Sequence, residues 1–580
     1  MIFRGFMFNL FLDFGFPEPL NAPFSSGYSV SPLFQLAFLF AMKRKFSDLH
    51  CHNHMRAHFH MQEKEKKFTR KGEFSPWTVI ASNSKKKDKG VMGASYSQID
   101  LVKCWNSNLR LTFNSLYPLE RQFVQGMDPK IKEDKWYHFV ARGILGDTGL
   151  RRDLLQTAYM RIPDKVVDYF QSDSYDYWES LNREKDFVLL DSGKRIKKNE
   201  IHVPQALFGD KKAAEKRAKN EPESYVAENA CYRIPKNREE LLASLADDSE
   251  ITMVLTIEGA HSIGTDKCKY VQDISDRIQF IKNMWEVPVF FITFSHHFDN
   301  HLCGHAHSIP GMGKVLMSQK KHMNEGFRRN GKRIIRETLG LDNNLKRDPK
   351  LGYRILIDVK HMAAKSRKYY YEMVNYLLKK GDRIPIIASH CGYSGIHTLE
   401  DHIRCENLEH DDYCDPKHKK FNAWNINMCD EDVEMIVKTR GMFGISFDQR
   451  ILGITKEDKK LDETRTPKRN GIKIIWENID AILRSAYDNP KLSSEQKENV
   501  WKCITIGTDF EGLIDPVNPY PTALEYELMA NNLVFEIEKD RKDPANSHLS
   551  RFKSREDVEK WVDDFCYNNA EAFVKENYPV

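Results

Sequence analysis

The chain has 580 residues, of which 41% are hydrophobic and 29% charged, a balance that belongs to folded globular proteins and excludes a disordered one. A formal net charge of +5 over that length gives no electrostatic case for a nucleic-acid partner. The eleven cysteines are odd in number, scattered, and several sit inside apolar runs, so they read as small core thiols of a reducing, cytoplasmic compartment.

Residues 1–42 come first and are rich in Phe, Leu and Pro. Asp13 breaks the first apolar patch, and Lys43, Arg44 and Lys45 follow the second patch where a secretory signal would have them precede it. The segment reads as a disordered or spurious extension with Met42 as the expected start, and no stable membrane insertion is expected. Eight β-like runs follow: Phe46–His52, Arg110–Tyr117, Ile251–Glu258, Val287–Ser295, Tyr353–Lys360, Arg383–His390, Gly441–Phe447 and Cys503–Asp509. Helical periodicity lies between most of them, at 271–285, 367–380, 430–439 and 472–487. Strands alternating with helices predict a parallel sheet, and eight of them predict an α/β fold of the (β/α)8 barrel type. The spacing is uneven. A helical insertion is expected at about 118–250, and long loops at about 311–351 and 399–425. The barrel itself would occupy 43–580.

The strand ends carry the polar residues. In chain order they are His50 and His52, Glu258, His296, His361, His390 and Asp509. In such a barrel the C-terminal strand ends converge on one face. Residues at i and i+2 of a strand share a side, so His50 and His52 can grip one ion together. Alone a His-x-His pair is weak evidence. Its recurrence with further histidines and a carboxylate suits one or two divalent ions of the zinc type. Two such ions would polarise a carbonyl and hold a hydroxide between them, leaving Asp509 to move a proton. Residues 46–60, FSDLHCHNHMRAHFH, hold three more histidines, His54, His58 and His60, which read as loop or supporting residues. In HHFDNHLCGHAH, at 296–307, only His296 is retained as a site residue. Cys405, His410, Cys414 and His418 have metal-ligand character, but their spacing is not that of a standard finger and reads as a solvated loop.

Five segments together carry a family likeness: IEGAHSIG at 257–264, ITFSHHFDN at 292–300, IDVKHM at 357–362, IPIIASHCGYSG at 384–395 and TIGTDFEGL at 505–513. MCDEDVEMIVKTRGMFGISF at 428–447 fits the helix-strand unit before the last of them. In order and spacing they resemble the membrane (renal) dipeptidase family of the amidohydrolase superfamily. The resemblance implies a dipeptidase with two divalent ions, Zn2+ above all, a small-molecule or dipeptide substrate, and a homodimer. It implies that His50 and His52 hold the first ion, Glu258 bridges both, and His361 and His390 hold the second. His296 would contact the substrate carbonyl oxygen, and Asp509 would carry a proton to the leaving amine. There are two departures. The family has His-x-Asp on the first strand where this chain has His50-Cys51-His52. The family also places an arginine soon after the strand-six histidine to hold the dipeptide carboxylate, and here the nearest is Arg404. Another amide, a lactone or an ester is therefore an alternative substrate, and a catalytically decayed barrel acting as a binding protein is an alternative of another class.

Overall fold

The computed structural model describes residues 44–64, 74–80, 97–124, 162, 164–203, 223–309, 318–405, 420–454, 458 and 470–579. The expected N-terminal extension, parts of the expected helical insertion at about 118–250, and His410, Cys414 and His418 lie outside these residues. The described chain contains strands β1 (Phe46–Cys51), β2 (Leu109–Leu116), β3 (Lys198–Val203), β4 (Glu223–Glu228), β5 (Cys231–Arg233), β6 (Glu250–Glu258), β7 (Val289–Thr293), β8 (Leu356–Asp358), β9 (Ile387–Cys391), β10 (Met442–Ile445) and β11 (Ile504–Ile506).

β1, β2, β6, β7, β8, β9, β10 and β11 lie side by side in that order. Every pairing between neighbours is parallel. The first and last meet as well. The His52 amide donates to the Phe510 carbonyl at 3.0 Å, and the Asp509 amide donates to the His50 carbonyl at 2.9 Å. The eight strands thus close into a (β/α)8 barrel. They are the eight expected from the sequence, because buried parallel strands are short apolar runs bounded by polar residues. The helices between them bury one stripe each. In Val271–Met284 that stripe includes Ile274, Ile278 and Ile281, at helical spacing.

Two features differ from the sequence reading. The segment between β2 and β6 has helices Asp164–Gln171, Tyr177–Leu189 and Arg238–Ala246, but also the antiparallel pair β3–β4 and the short β5 alongside β6. Among the described residues nine cysteines are free thiols, while Cys405 is disulfide-bonded, against the reading of all as thiols. Among the described residues no helix is long and apolar enough to cross a membrane.

The barrel interior beneath the strand ends is polar. Asp358 accepts from Thr293 Oγ1 and Ser389 Oγ, both at 2.6 Å, and from the amides of Ser389 and Lys360. Asp48 accepts from the Thr508 amide at 2.9 Å and from the Tyr526 hydroxyl at 2.7 Å. The last strands approach so closely that a Cβ on Gly507 would lie 2.0 Å from the Ser389 carbonyl oxygen and 2.7 Å from Gly444 Cα. Backbone cannot give way as a flexible side chain can. Gly507→Ala is expected to destabilise the fold by about 1–3 kcal/mol, read by urea unfolding.

Candidate metal centre

All seven expected site residues come to one end of the barrel. Five imidazole Nε2 atoms converge on the Glu258 carboxylate: His52 at 3.1 Å, His50 at 3.2 Å, His296 at 3.3 Å, and His361 and His390 at 3.7 Å. Asp509 stands at the rim of this group, 3.7 Å from His50, 3.9 Å from His52 and 3.8 Å from His390. All seven are buried. His361 and Asp509 have φ of 65° and 64°. That left-handed conformation costs a non-glycine residue about 1–3 kcal/mol and persists only where the surroundings enforce it. Here it turns both side chains into the cup as the chain leaves the strands.

The remote nitrogens settle the tautomers. His52 Nδ1 lies 2.8 Å from the Ser115 carbonyl oxygen, which only accepts, so Nδ1 carries the proton and Nε2 presents a lone pair. Ser389 gives its hydrogen to Asp358, so His390 Nδ1, 2.9 Å from Ser389 Oγ, must donate, and its Nε2 also presents a lone pair. Lone pairs aimed at a carboxylate oxygen repel it unless a cation or proton lies between. His50 Nε2, His52 Nε2 and Asp509 Oδ1 are buried and have no hydrogen-bond partner. Imidazoles oriented by remote hydrogen bonds, with inward nitrogens left unpaired around one carboxylate, fit a divalent cation.

The electrostatics agree. Burial alone would raise the Glu258 pKa, but the neighbouring His296 and His50 outweigh it and hold the carboxyl well below its usual range. Burial pulls His296 down, but the Glu258 and Glu120 carboxylates prevail and hold its pKa up at about 10. Asp509 behaves oppositely. Burial, and then the Glu258 charge, push its carboxyl well above the usual range.

Four supporting residues were not legible in the sequence. Glu120 accepts from His296 Nδ1 at 2.6 Å and from the Phe298 amide at 3.1 Å. Ser115 and Ser389 orient the imidazoles of His52 and His390 from below. His297, set aside in the sequence reading, has its ring centroid 4.0 Å from that of His296 and 4.9 Å from that of His361. A separate buried grouping, His402, Cys429 and Asp432, is served by a side-chain cation: Arg367 lies 3.0 Å from both His402 Nδ1 and Asp432 Oδ1.

Similar solved structures are distant. A metallopeptidase from Rhodobacter sphaeroides, liganded with a phosphinate mimic of the dipeptide L-Ala-D-Ala, is 12% identical with a TM-score of 0.46, over 92% of this chain and 100% of its own. The metallopeptidase dipeptidase AC is 12% identical with a TM-score of 0.45, over 92% of this chain and 99% of its own. An amidohydrolase from Pseudomonas aeruginosa is 14% identical with a TM-score of 0.33, over 60% of this chain and 78% of its own. No family model matches the chain, and no curated protein matches its sequence.

The remaining histidines of the first strand region divide by role. His58 is buried beside Phe187, with ring centroids 5.4 Å apart, and burial pushes its pKa down to about 4. His54 turns away from the cup. Its Nε2 meets Glu184 Oε1 at 2.7 Å and its Nδ1 meets Asn114 at 3.1 Å. Glu184 in turn accepts from the Tyr117 amide at 2.9 Å. His54→Ala would leave a buried carboxylate without its main partner. It is expected to cost about 3–5 kcal/mol in urea unfolding while bound metal, measured per folded chain, stays at the parent level.

Arg404, the nearest arginine after His390 in sequence, is 75% exposed and paired with Asp401.

Proposed function

We propose that the chain is a metal-dependent hydrolase of amide bonds and, in its leading form, a zinc dipeptidase. One observation carries this: imidazole lone pairs held by their remote nitrogens converge on the Glu258 carboxylate at the mouth of a parallel barrel. A set dominated by imidazole with one shared carboxylate suits Zn2+ better than Mg2+ or Ca2+. Glu258 Oε2 faces His52 and Oε1 faces His361 and His390, so its two oxygens reach imidazoles expected at both ions, which favours a bridging role. When bound, such ions supply Lewis acidity toward a carbonyl and lower the pKa of a water.

The chain's own residues supply the rest. His296, charged and held through Nδ1 by Glu120, donates from Nε2 to the carbonyl oxygen as it gains negative charge. Asp509 takes the proton of the attacking water. It then releases that proton to the nitrogen of the leaving amine, for which its raised affinity suits it. Glu120 holds the His296 ring in its donating orientation.

A second reading keeps this chemistry and changes the substrate to another amide, a lactone or an ester. The exposure of Arg404 favours it, because that side chain is engaged at the surface. Turnover of a panel of dipeptides, N-acyl amino acids and lactones by the Zn2+-loaded protein separates the two. Preference for dipeptides with a free carboxylate supports the leading form. Hydrolysis of acyl amino acids or lactones alone would replace it, and no hydrolysis of any member would reject both.

A further inference from the structure

We propose that His297 is a metal ligand in this chain, joining His361 on one of the two ions while His296 keeps its donating role. The proposal rests on the metal-hydrolase reading above and adds to it a residue that the family pattern does not contain.

Two groups of close-set ligand atoms lie at the described site, with His52 in neither. His50, Glu258, His390 and Asp509 each offer one within 4.8 Å of the others, and so do His296, His297 and His361. β7 ends at Thr293, so His296 and His297 lie in the segment beyond it, where adjacent side chains no longer alternate between faces. Both rings therefore turn toward His361, with interplanar angles of 64° and 71°.

His297 is supported as ligating imidazoles are. Its Nδ1 lies 2.6 Å from Ser308 Oγ. Gln319 fixes that serine, donating from Nε2 to Ser308 Oγ at 2.7 Å and to the His297 carbonyl at 2.6 Å. The same Gln319 accepts from the amides of Ser308 and Ile309 through Oε1. Phe123 packs edge-on against the ring at 5.2 Å. With Nδ1 occupied, Nε2 is the nitrogen left to bind. The second observation is His361, whose Nε2 lies 3.1 Å from His390 Nε2 while its Nδ1 is buried without a hydrogen-bond partner. Imidazole ligands favour zinc, copper or nickel over magnesium or calcium.

The test is a Zn2+ titration of the chelator-stripped full chain by calorimetry, with Co2+ absorption as a second readout. The parent is expected to bind two ions. His297→Ala is expected to keep one with unchanged affinity and to weaken the other by about tenfold or more, with the Co2+ spectrum changed. His297→Phe, which keeps the ring volume against Phe123 and has no ligand atom, should do the same if the alanine variant proves poorly folded. Ser308→Ala should weaken the same ion by a smaller factor. Two ions bound by His297→Ala or His297→Phe with parental affinities would overturn the proposal and leave the hydrolase reading standing. A parent that binds no ion at all would overturn both.

Discussion

Glu258→Gln is expected to lose bound metal and to cut kcat by roughly 10³-fold or more, because residues of a catalytic cluster act as a unit. The substitution keeps the shape of the side chain. It removes the one negative charge on which five imidazole nitrogens converge, and it places an amide NH2 where some of those nitrogens present lone pairs. The variant should fold, since the burial cost of a neutral amide is lower than that of a carboxylate. Metal analysis and turnover of parent and variant, prepared side by side, check the result. Parental activity at parental metal content would show that Glu258 is not the shared ligand.

Asp509→Asn is expected to separate metal from rate. Its carboxylate stands 3.7–3.9 Å from the nearest imidazole nitrogens, farther than Glu258 stands from His50 and His52. Its Oδ1 is buried and unpaired. An amide there retains an oxygen but can no longer take up and release a proton. Metal content should stay near that of the parent while kcat falls roughly 10²–10⁴-fold, the range general acid-base catalysis supplies. Loss of metal in step with rate would make Asp509 chiefly a ligand.

The eight barrel strands were legible because each is an apolar run ended by a polar residue, and the closing hydrogen bonds between β1 and β11 follow from their number. The β3–β4 pair was not, since its strands are charged and give no alternating apolar face. The site ligands at strand ends were legible for a related reason: a barrel brings all its strand ends to one place, however far apart in sequence. Glu120 was hidden because it sits in a loop, 176 residues from the His296 it supports, with no local pattern to mark it. His297 was set aside as a loop residue, because in a histidine-rich run beyond the strand end nothing local marks which ring turns toward the site. Within 46–60 the alternation of strand residues served while the strand lasted. His50 and His52 share the cup, and His54, past the end of β1, turns to Glu184.

The central claim is that this chain needs divalent metal at Glu258 to hydrolyse an amide. The most direct test is a single titration of the chelator-stripped full chain with Zn2+, recording ions bound per chain and dipeptide hydrolysis at every point. The account predicts no hydrolysis without metal, two ions bound at saturation, and a rate that rises as the sites fill. Hydrolysis undiminished in the stripped protein, or saturation with Zn2+ that brings no hydrolysis of any amide, would contradict it.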